Sequence, residues 1–340
     1  MKPDYTQFVR VLKREQRPDH LPLYEHIASP GFIARATQSD FDRRPQDEVY
    51  WRTYVQFWMD MGFDVVPLEV PLNLPAPASQ DGESFESEAF VVIRNVDDYE
   101  AYPWPDEENA LDFSVYERVA NLLPDGARLV AGVCMGPYEH VSRMLGTIGL
   151  SYLLADDPDL VQAMFDRIAR LIVSVDKRLA AMDAVCAVRQ GDDLGFKTAT
   201  FLSPAQLRRY VFPIYAQQVQ AAHDQGKPFV LHSCGQLSAV YDDLINVCKI
   251  DAKHSFEDQI MPPYEFKQLY GDRVTALGGL DVDTICRSDE THLRAYTRRM
   301  VEACFADGWW ALGTGNSLTD YMPVENYRIV LDEAQRVLNG

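Results

Sequence analysis

The stretch KPFVLHSCGQLSAV, residues 227–240, contains the pattern that decides the fold. Its apolar residues run directly into His232, Ser233 and Cys234, as in a buried β-strand that ends in polar side chains. Alternate residues of a strand share one face, so His232 and Cys234 point the same way if the strand reaches that far. This pair fits a metal site, a nucleophile with its base, or the plain end of a buried strand.

Seven further runs are similar to this one, and they alternate with longer amphipathic segments such as 158–182 and 203–226. The eight strand-like runs span residues 21–27, 64–70, 128–135, 184–191, 228–234, 250–256, 274–280 and 309–315. Eight strands alternating with helices are typical of a (β/α)8 TIM barrel. We therefore predict an α/β fold in which residues 1–340 form a single (β/α)8 barrel domain, with two ordinary domains as the alternative that length leaves open.

Residues 71–127 depart from this alternation, because the segment is rich in proline and acidic residues and has one strand-like run, AFVVIRN. We predict an irregular insertion after the second strand, forming an excursion over the barrel mouth. A linker between two domains is the alternative, since long loops without secondary structure are uncommon inside a compact domain.

Composition and charge exclude several classes of function. With 47% hydrophobic and 24% charged residues, the chain has ample material for a core, while its formal net charge of −19 argues against binding to nucleic acid. The N-terminus has no apolar signal core and no run approaches 18 apolar residues, so we expect no membrane partner and a cytoplasmic location. The six cysteines are spread along the chain, which favours reduced thiols over a disulfide framework.

Polar side chains concentrate at the ends of the predicted strands. The carboxyl ends of barrel strands line the active site, so these residues are the candidates for chemistry. They are Glu25, His26, Asp192, Asp193, His232, Cys234, His254, Glu257, Asp281, Asp283, Thr314 and Asn316.

An imidazole and a thiolate together suit zinc, which accepts mixed nitrogen, sulfur and oxygen ligands. Glu257 follows Cys234 by one predicted strand and can supply a third ligand, with His254 as a competing donor. We therefore predict a metal site formed by His232, Cys234 and Glu257. The alternative for Glu257 is a solvated loop carboxylate.

The segment from about 184 to 327 resembles the uroporphyrinogen decarboxylase superfamily, through GDDLGFKTATFLSP, VLHSCGQL, DAKHSFED, ALGGLDVDTIC and ALGTGNSLTDYMPVENY. That superfamily combines porphyrinogen decarboxylases with zinc-dependent, corrinoid-linked methyltransferases on the (β/α)8 barrel. The decarboxylases hold substrate carboxylates with arginines after the first strand, whereas this chain reads LPLYEHIASPGF there. The thiol methyltransferases have a later cysteine near the eighth strand, whereas this chain reads GTGNS.

The resemblance is nearer to the methyltransferase branch, and it implies a zinc-dependent methyltransferase or demethylase acting between a small substrate or thiol and a corrinoid. The pattern His-x-Cys followed by a glutamate also resembles the zinc ligands of cobalamin-independent methionine synthase. The implied cofactors are Zn²⁺ and a corrinoid carried by a partner protein, and the implied assembly includes a homodimer.

Within such a site we expect catalytic roles for Asp193, Asn316 and Asp281, and substrate binding by Glu25, His26, Tyr138 and Tyr321. Helix capping is the structural alternative for Asp193. Two other functions stay open: a metal-free, decarboxylase-like lyase acting on a small carboxylate, in which Asp193 or Asp281 stabilises a protonated intermediate, and a non-catalytic binding barrel.

Overall fold

The computed structural model describes residues 2–75 and 90–339. Seven strands form one parallel sheet in which each strand is hydrogen-bonded to its neighbours in chain order. The strands are β1 (Val65–Pro71), β2 (Arg128–Cys134), β3 (Val185–Gly191), β4 (Phe229–His232), β5 (Ala252–His254), β6 (Thr275–Leu277) and β7 (Trp310–Ala311). Their register places His232 beside both Gly191 and His254 at the carboxyl edge. The fold is therefore α/β with a curled parallel sheet of the TIM-barrel type.

The first predicted run, 21–27, is extended but is not a regular strand. Its Leu23 forms a parallel bridge with Leu312, and Ala28 forms another with Leu318, so the segment lies beside β7. At its other side, His26 Nε2 lies 3.9 Å from Glu69 Oε2 of β1. The run therefore contacts both outer strands of the sheet, through short bridges and side chains rather than through a continuous ladder.

Helices alternate with the strands, and most of them pack on the outside of the sheet, whereas α1 packs against its inner side. They are α1 (Tyr5–Lys13), α2 (Pro30–Thr37), α3 (Glu48–Asp60), α4 (Val96–Ala101), α5 (Ser114–Ala120), α6 (Pro137–Leu145), α7 (Thr147–Asp156), α8 (Pro158–Ala181), α9 (Pro204–Gln206), α10 (Phe212–His223), α11 (Pro263–Tyr270), α12 (Val282–Arg287), α13 (Glu290–Cys304) and α14 (Val324–Asn339). A 3₁₀ turn spans Phe41–Arg43, and π-helical segments span Leu207–Val211 and Asp243–Cys248. Within residues 2–75 and 90–339, no helix has the length and apolar character needed to cross a bilayer.

Two layers of buried side chains stabilise the fold. The larger one lies between the sheet and its helices, and the smaller one lies inside the curl of the sheet. Small residues such as Ala187 and Ala252 point inward, and Phe8 and Leu12 of α1 pack against them. Burial of this apolar surface is the main term that stabilises the sheet. The inside of the curl is therefore a packed apolar core. The polar side chains lie above this core, at the carboxyl edge of the sheet.

The predicted insertion after residue 70 is not confirmed. Tyr116 of α5 is fully buried and donates a hydrogen bond to the Gly132 carbonyl of β2 at 2.5 Å, so α5 belongs to the helical layer. The described part of the predicted strand AFVVIRN is irregular, with Val92 and Ile93 both donating to the Met144 carbonyl. Residues 76–89 lie outside the described residues, and an excursion over the mouth stays a prediction.

Candidate metal centre

A cavity of about 640 Å³ opens at the carboxyl edge of the sheet. Strand ends contribute Glu69, Cys134, Gly191 and His232 to its wall, and the segment after β7 contributes Asn316. A larger groove of about 920 Å³ lies on the outer surface along α8, away from the strand ends. The cavity at the carboxyl edge is the candidate site, because it collects the polar side chains that the strands position.

Three potential metal ligands meet in this region: Asp193, His232 and Cys234, with one ligand atom from each within 4.8 Å of the others. His232 Nε2 lies 3.5 Å from Cys234 Sγ and 3.7 Å from Asp193 Oδ1. Asp193 also accepts a hydrogen bond from the Cys234 backbone N–H at 2.9 Å. Oxygen, nitrogen and sulfur donors at this spacing fit a zinc ion with an open fourth position.

A second group of potential ligands, His26, His232 and His254, is a poorer metal site. The rings of His26 and His232 are stacked, with centroids 3.7 Å apart and planes 14° from parallel. Lone pairs of ring nitrogens lie in the ring plane, so two stacked imidazoles cannot both aim at an ion between them. His232 and His254 instead face each other through Nδ1 atoms 2.7 Å apart. These contacts describe a packed histidine cluster that supports His232.

Both histidines beside His232 are uncharged in this environment. Burial lowers the pKa of His254 to about 3, and burial followed by the Arg189 charge lowers the pKa of His26 well below its ordinary value. Burial and His254 likewise lower the pKa of His232. A neutral imidazole is the form that binds a metal ion.

Cys234 is surrounded by hydrogen-bond donors. Ser255 Oγ lies 3.2 Å from its sulfur, and Asn316 Nδ2 lies 3.4 Å from it. Burial, followed by the Asp193 charge, raises the pKa of this thiol. A bound metal ion would instead lower the pKa of the Cys234 thiol, because the positive charge stabilises the thiolate. The donors around the sulfur are already placed to stabilise a negative charge on it.

The family model for uroporphyrinogen decarboxylase matches residues 7–337, nearly the whole length of the sequence. The chain belongs to the uroporphyrinogen decarboxylase family. Among solved structures, a methyltransferase from Methanosarcina mazei is similar with a TM-score of 0.77 and 14% identity, over 98% of each chain. At this identity the likeness is one of fold. A β-glycosidase from Thermosphaera aggregans covers 95% of this chain and 97% of its own, with a TM-score of 0.49 and 9% identity. The comparison with curated proteins finds no match.

In this member of the uroporphyrinogen decarboxylase family, the structure brings several predicted site residues together. Asp193, Asn316, Tyr138 and His26 line the same cavity as His232. Tyr138 stacks on Phe201, with centroids 5.8 Å apart, and forms an aromatic part of the wall. These predicted residues therefore share one cavity, and their roles as site residues stay predictions.

The other four predicted residues lie elsewhere. Glu257 belongs to neither group of potential ligands, and its backbone forms a bridge with Met261 in the loop after β5. Asp281 is the N-cap of α12, where its side chain accepts from the Thr284 N–H at 2.8 Å. Tyr321 is 71% exposed and is not among the residues that line the cavity.

Glu25 is fully buried and does not line the cavity. Its carboxylate accepts from the Thr314 N–H at 2.7 Å, from Thr314 Oγ1 at 2.5 Å and from the Tyr327 hydroxyl at 2.9 Å. Burial outweighs these hydrogen bonds and raises the pKa of Glu25 to about 8. These bonds engage the Glu25 carboxyl away from the cavity, and its predicted role in substrate binding stays a prediction.

Sequence reasoning missed two buried cations near the site. Arg189 of β3 pairs with Glu69 and donates to the His26 carbonyl, which fixes the segment that carries His26. Lys253 of β5 donates to the Ser255 carbonyl, and burial lowers its pKa to about 7. Arg189 and Lys253 each lie inside a strand-like apolar run of the sequence. Lys and Arg are almost never fully buried unless they are paired. A basic residue within such a run was therefore the signal that could have predicted a buried, paired cation.

Asp192 and Glu139 form an acidic pair in the cavity wall. Asp192 accepts from the N–H groups of Tyr138 and Glu139 at the start of α6, and from the Tyr215 hydroxyl at 2.7 Å. Burial, followed by the Asp192 charge, raises the pKa of Glu139 to about 9. Asp192 thus caps the start of α6, an earlier helix of the chain, whereas Asp193 lines the cavity.

Proposed function

We propose that this protein is a zinc-dependent methyltransferase or demethylase that moves a methyl group between a small substrate or thiol and a corrinoid. The observation that carries the proposal is the convergence of Asp193, His232 and Cys234 at the carboxyl edge, where Asp193 and His232 line the cavity. Mixed nitrogen, sulfur and oxygen donors are typical of zinc, and three protein ligands leave a position for a substrate atom.

The proposed ligands are His232, Cys234 and one carboxylate. Asp193 is the better candidate for the carboxylate, because its Oδ1 already lies 3.7 Å from His232 Nε2 and its side chain is 44% exposed toward the cavity. Glu257, the ligand predicted from sequence, belongs to neither group of potential ligands and is the alternative. The two carboxylates can be separated by mutation, as described below.

When bound, zinc would act as a Lewis acid that lowers the pKa of a coordinated thiol or polarises the heteroatom of a methyl donor. The chain's own residues do the positioning. Ser255 and Asn316 hold the Cys234 sulfur by hydrogen bonds from two sides. Tyr138 and Phe201 give the cavity an aromatic wall against which the apolar part of a small substrate can pack.

A corrinoid on a partner protein is the proposed methyl carrier, and a homodimer is the proposed assembly. Support for methyl transfer comes from the family match and from the fold shared with the Methanosarcina mazei methyltransferase. The metal-free lyase has less support, since Asp281 is occupied as a helix cap and residues 21–32 offer no arginine for a substrate carboxylate.

Metal analysis of the protein purified without a histidine tag tests the proposal. We expect about one zinc per chain, and transfer of methyl groups between a methylated corrinoid and a thiol. Cys234→Ser replaces a soft thiolate by a poor hydroxyl ligand and should lose zinc and methyl transfer together, with little change in melting temperature. Cys286→Ser, in α12, is the matched control and should keep both. Zinc-free wild-type protein, or full zinc content in Cys234→Ser, would contradict the proposal.

A further inference from the structure

We infer that His254 and Glu25 are positioning residues of the metal site, which hold His232 with its Nε2 lone pair facing Cys234 and Asp193. The inference rests on the proposed zinc site and extends it to residues that touch neither the metal ligands' donor atoms nor the cavity. It is carried by an unbroken series of buried hydrogen bonds that leads from Glu25 through Thr314 and His254 to His232.

The tautomer of His254 follows from its partners. Its Nε2 lies 3.1 Å from the Thr314 carbonyl oxygen, which can only accept, so Nε2 carries the hydrogen. The ring is fully buried and no carboxylate lies within salt-bridge distance of it among the described residues, so it holds one hydrogen only, on Nε2, and its Nδ1 is an acceptor. His254 thus presents one lone pair, and it presents it to His232.

The tautomer of His232 follows in turn. His232 Nδ1 lies 2.7 Å from His254 Nδ1, so His232 must donate from Nδ1. Its Nε2 is left without a hydrogen and lies 3.5 Å from Cys234 Sγ and 3.7 Å from Asp193 Oδ1. A metal-binding histidine commonly has its other ring nitrogen fixed by such a partner, which sets both the tautomer and the ring orientation.

Glu25 supports the Thr314 backbone, whose carbonyl also accepts from the Gly279 N–H at 3.0 Å. The carboxylate of Glu25 accepts from both the backbone N–H and the hydroxyl of Thr314, and Tyr327 of α14 secures the carboxylate from the other side. Removal of the Glu25 bonds would loosen the Thr314 backbone on the side of its N–H and hydroxyl, and leave the Gly279 N–H as the remaining protein donor, besides His254, that holds the carbonyl. A buried carboxylate is costly, and this series of contacts accounts for its presence.

The ring of His26 holds His232 in a second way. It stacks on one face of His232 at 3.7 Å, so rotation of the His232 ring would require His26 to move. Two restraints therefore act on the same ligand: a hydrogen bond in the ring plane from His254 and a packing contact on the ring face from His26.

Three variants test the inference by zinc affinity, measured by competition with a chelator. His254→Leu removes the acceptor and should weaken zinc binding about 10- to 100-fold. His254→Asn keeps an acceptor near the Nδ1 position and should stay within a few-fold of the wild type. His140→Leu changes an equally buried histidine of α6 and is the control for general destabilisation. Wild-type affinity in His254→Leu would overturn the inference.

A second measurement needs no metal. Nitrogen NMR of the metal-free protein, labelled at histidine, should show a protonated Nδ1 and an unprotonated Nε2 for His232, and the reverse for His254. Glu25→Ala removes the acceptor of the Thr314 N–H and hydroxyl and should partly populate the other tautomer of His232, whereas His140→Leu should not. If the tautomers are opposite in the wild type, the inference is wrong. If they are as expected but no zinc binds, the positioning holds and the zinc proposal fails.

Discussion

Asn316 donates its side-chain amide to the sulfur of Cys234, with Nδ2 3.4 Å from Sγ, although 82 residues separate them in the chain. The segment after β7 thereby contributes to the centre without supplying a metal ligand. The thiol methyltransferases that the sequence resembles have a cysteine in this part of the chain, and here an amide lies beside the sulfur of the proposed metal site. The donor stabilises negative charge on Cys234 without adding a fourth ligand.

Asn316→Ala should therefore affect reactivity more than metal content. We expect zinc to stay bound and methyl transfer to fall about tenfold, because partners outside the ligand shell tune a site without forming it. The measurement is the rate of methyl transfer per bound zinc. Asn326→Ala, which removes an amide that donates to the Ile285 carbonyl, is the matched control. An Asn316 variant with wild-type activity would refute a role for this contact.

The third ligand can be identified by two single substitutions. Asp193→Asn should reduce zinc content and affinity at least tenfold, since an amide oxygen is a weaker ligand than a carboxylate. Glu257→Gln should leave zinc affinity within a few-fold of the wild type. The measurement is zinc per chain after dialysis against a chelator. The opposite ranking would restore Glu257 as the ligand and assign Asp193 to substrate or proton handling.

Asp281→Ala separates helix capping from catalysis. Loss of the N-cap of α12 should cost about 0.5–2 kcal/mol in the free energy of unfolding. Methyl transfer per folded chain should be unchanged, because the Asp281 side chain is engaged with the Thr284 N–H and does not line the cavity. Chemical denaturation and activity are measured on the same preparation. A large loss of activity without loss of stability would return Asp281 to the catalytic residues.

Asp176 of α8 should make stability depend on pH. Its Oδ2 accepts from Gln218 at 2.8 Å, while its buried Oδ1 has no hydrogen-bond partner among the described residues. Burial raises its pKa from 3.8 to about 7. The folded state therefore holds a proton that the unfolded state releases above about pH 4, and stability falls as the pH rises toward 7.

Asp176→Asn should remove this dependence. At pH 4 the variant and the wild type should differ little, and near pH 8 the variant should gain as much as about 4 kcal/mol relative to the wild type. The measurement is the free energy of unfolding of both proteins at several pH values between 4 and 8. Asp166→Asn, on the exposed face of the same helix, should show no such gain. Parallel pH profiles for the Asp176 variant and the wild type would contradict the assignment.

The sequence was most informative where local pattern and position agree. His232 and Cys234 could be found because an apolar run leads directly into them. His232 ends β4, and Cys234 lies two residues beyond the strand with its sulfur 3.5 Å from His232 Nε2. Seven of the eight predicted runs overlap with a strand of the sheet, because apolar runs of this length favour buried strands. The first run is an exception: Leu23 and Ala28 pair only through isolated bridges, which depend on residues 312 and 318 rather than on the run itself.

Sequence could not decide which carboxylates face the cavity. Glu25 and Asp193 both follow predicted strands, yet Glu25 turns toward Tyr327, 302 residues away, and Asp193 turns toward Cys234. The direction of Glu257 depends on the loop that closes on Met261. Tertiary contacts determine the direction of each carboxylate, and local sequence patterns contain no information about them. Sequence could therefore suggest the types of ligand residue but not the residues that each carboxylate contacts.

The hydrogen bond between Glu25 and Thr314 joins residues that are 289 positions apart in the chain. The site can therefore be completed only late in folding. During synthesis, the ribosome releases Asp193, His232 and Cys234 well before Thr314. The nascent chain therefore holds the ligands but lacks the contact that orients His232. Closing so long a loop adds little to the equilibrium cost but comes late in time. Metal uptake would then report on completed folding, and a chain truncated before residue 314 would carry the ligands without an ordered centre.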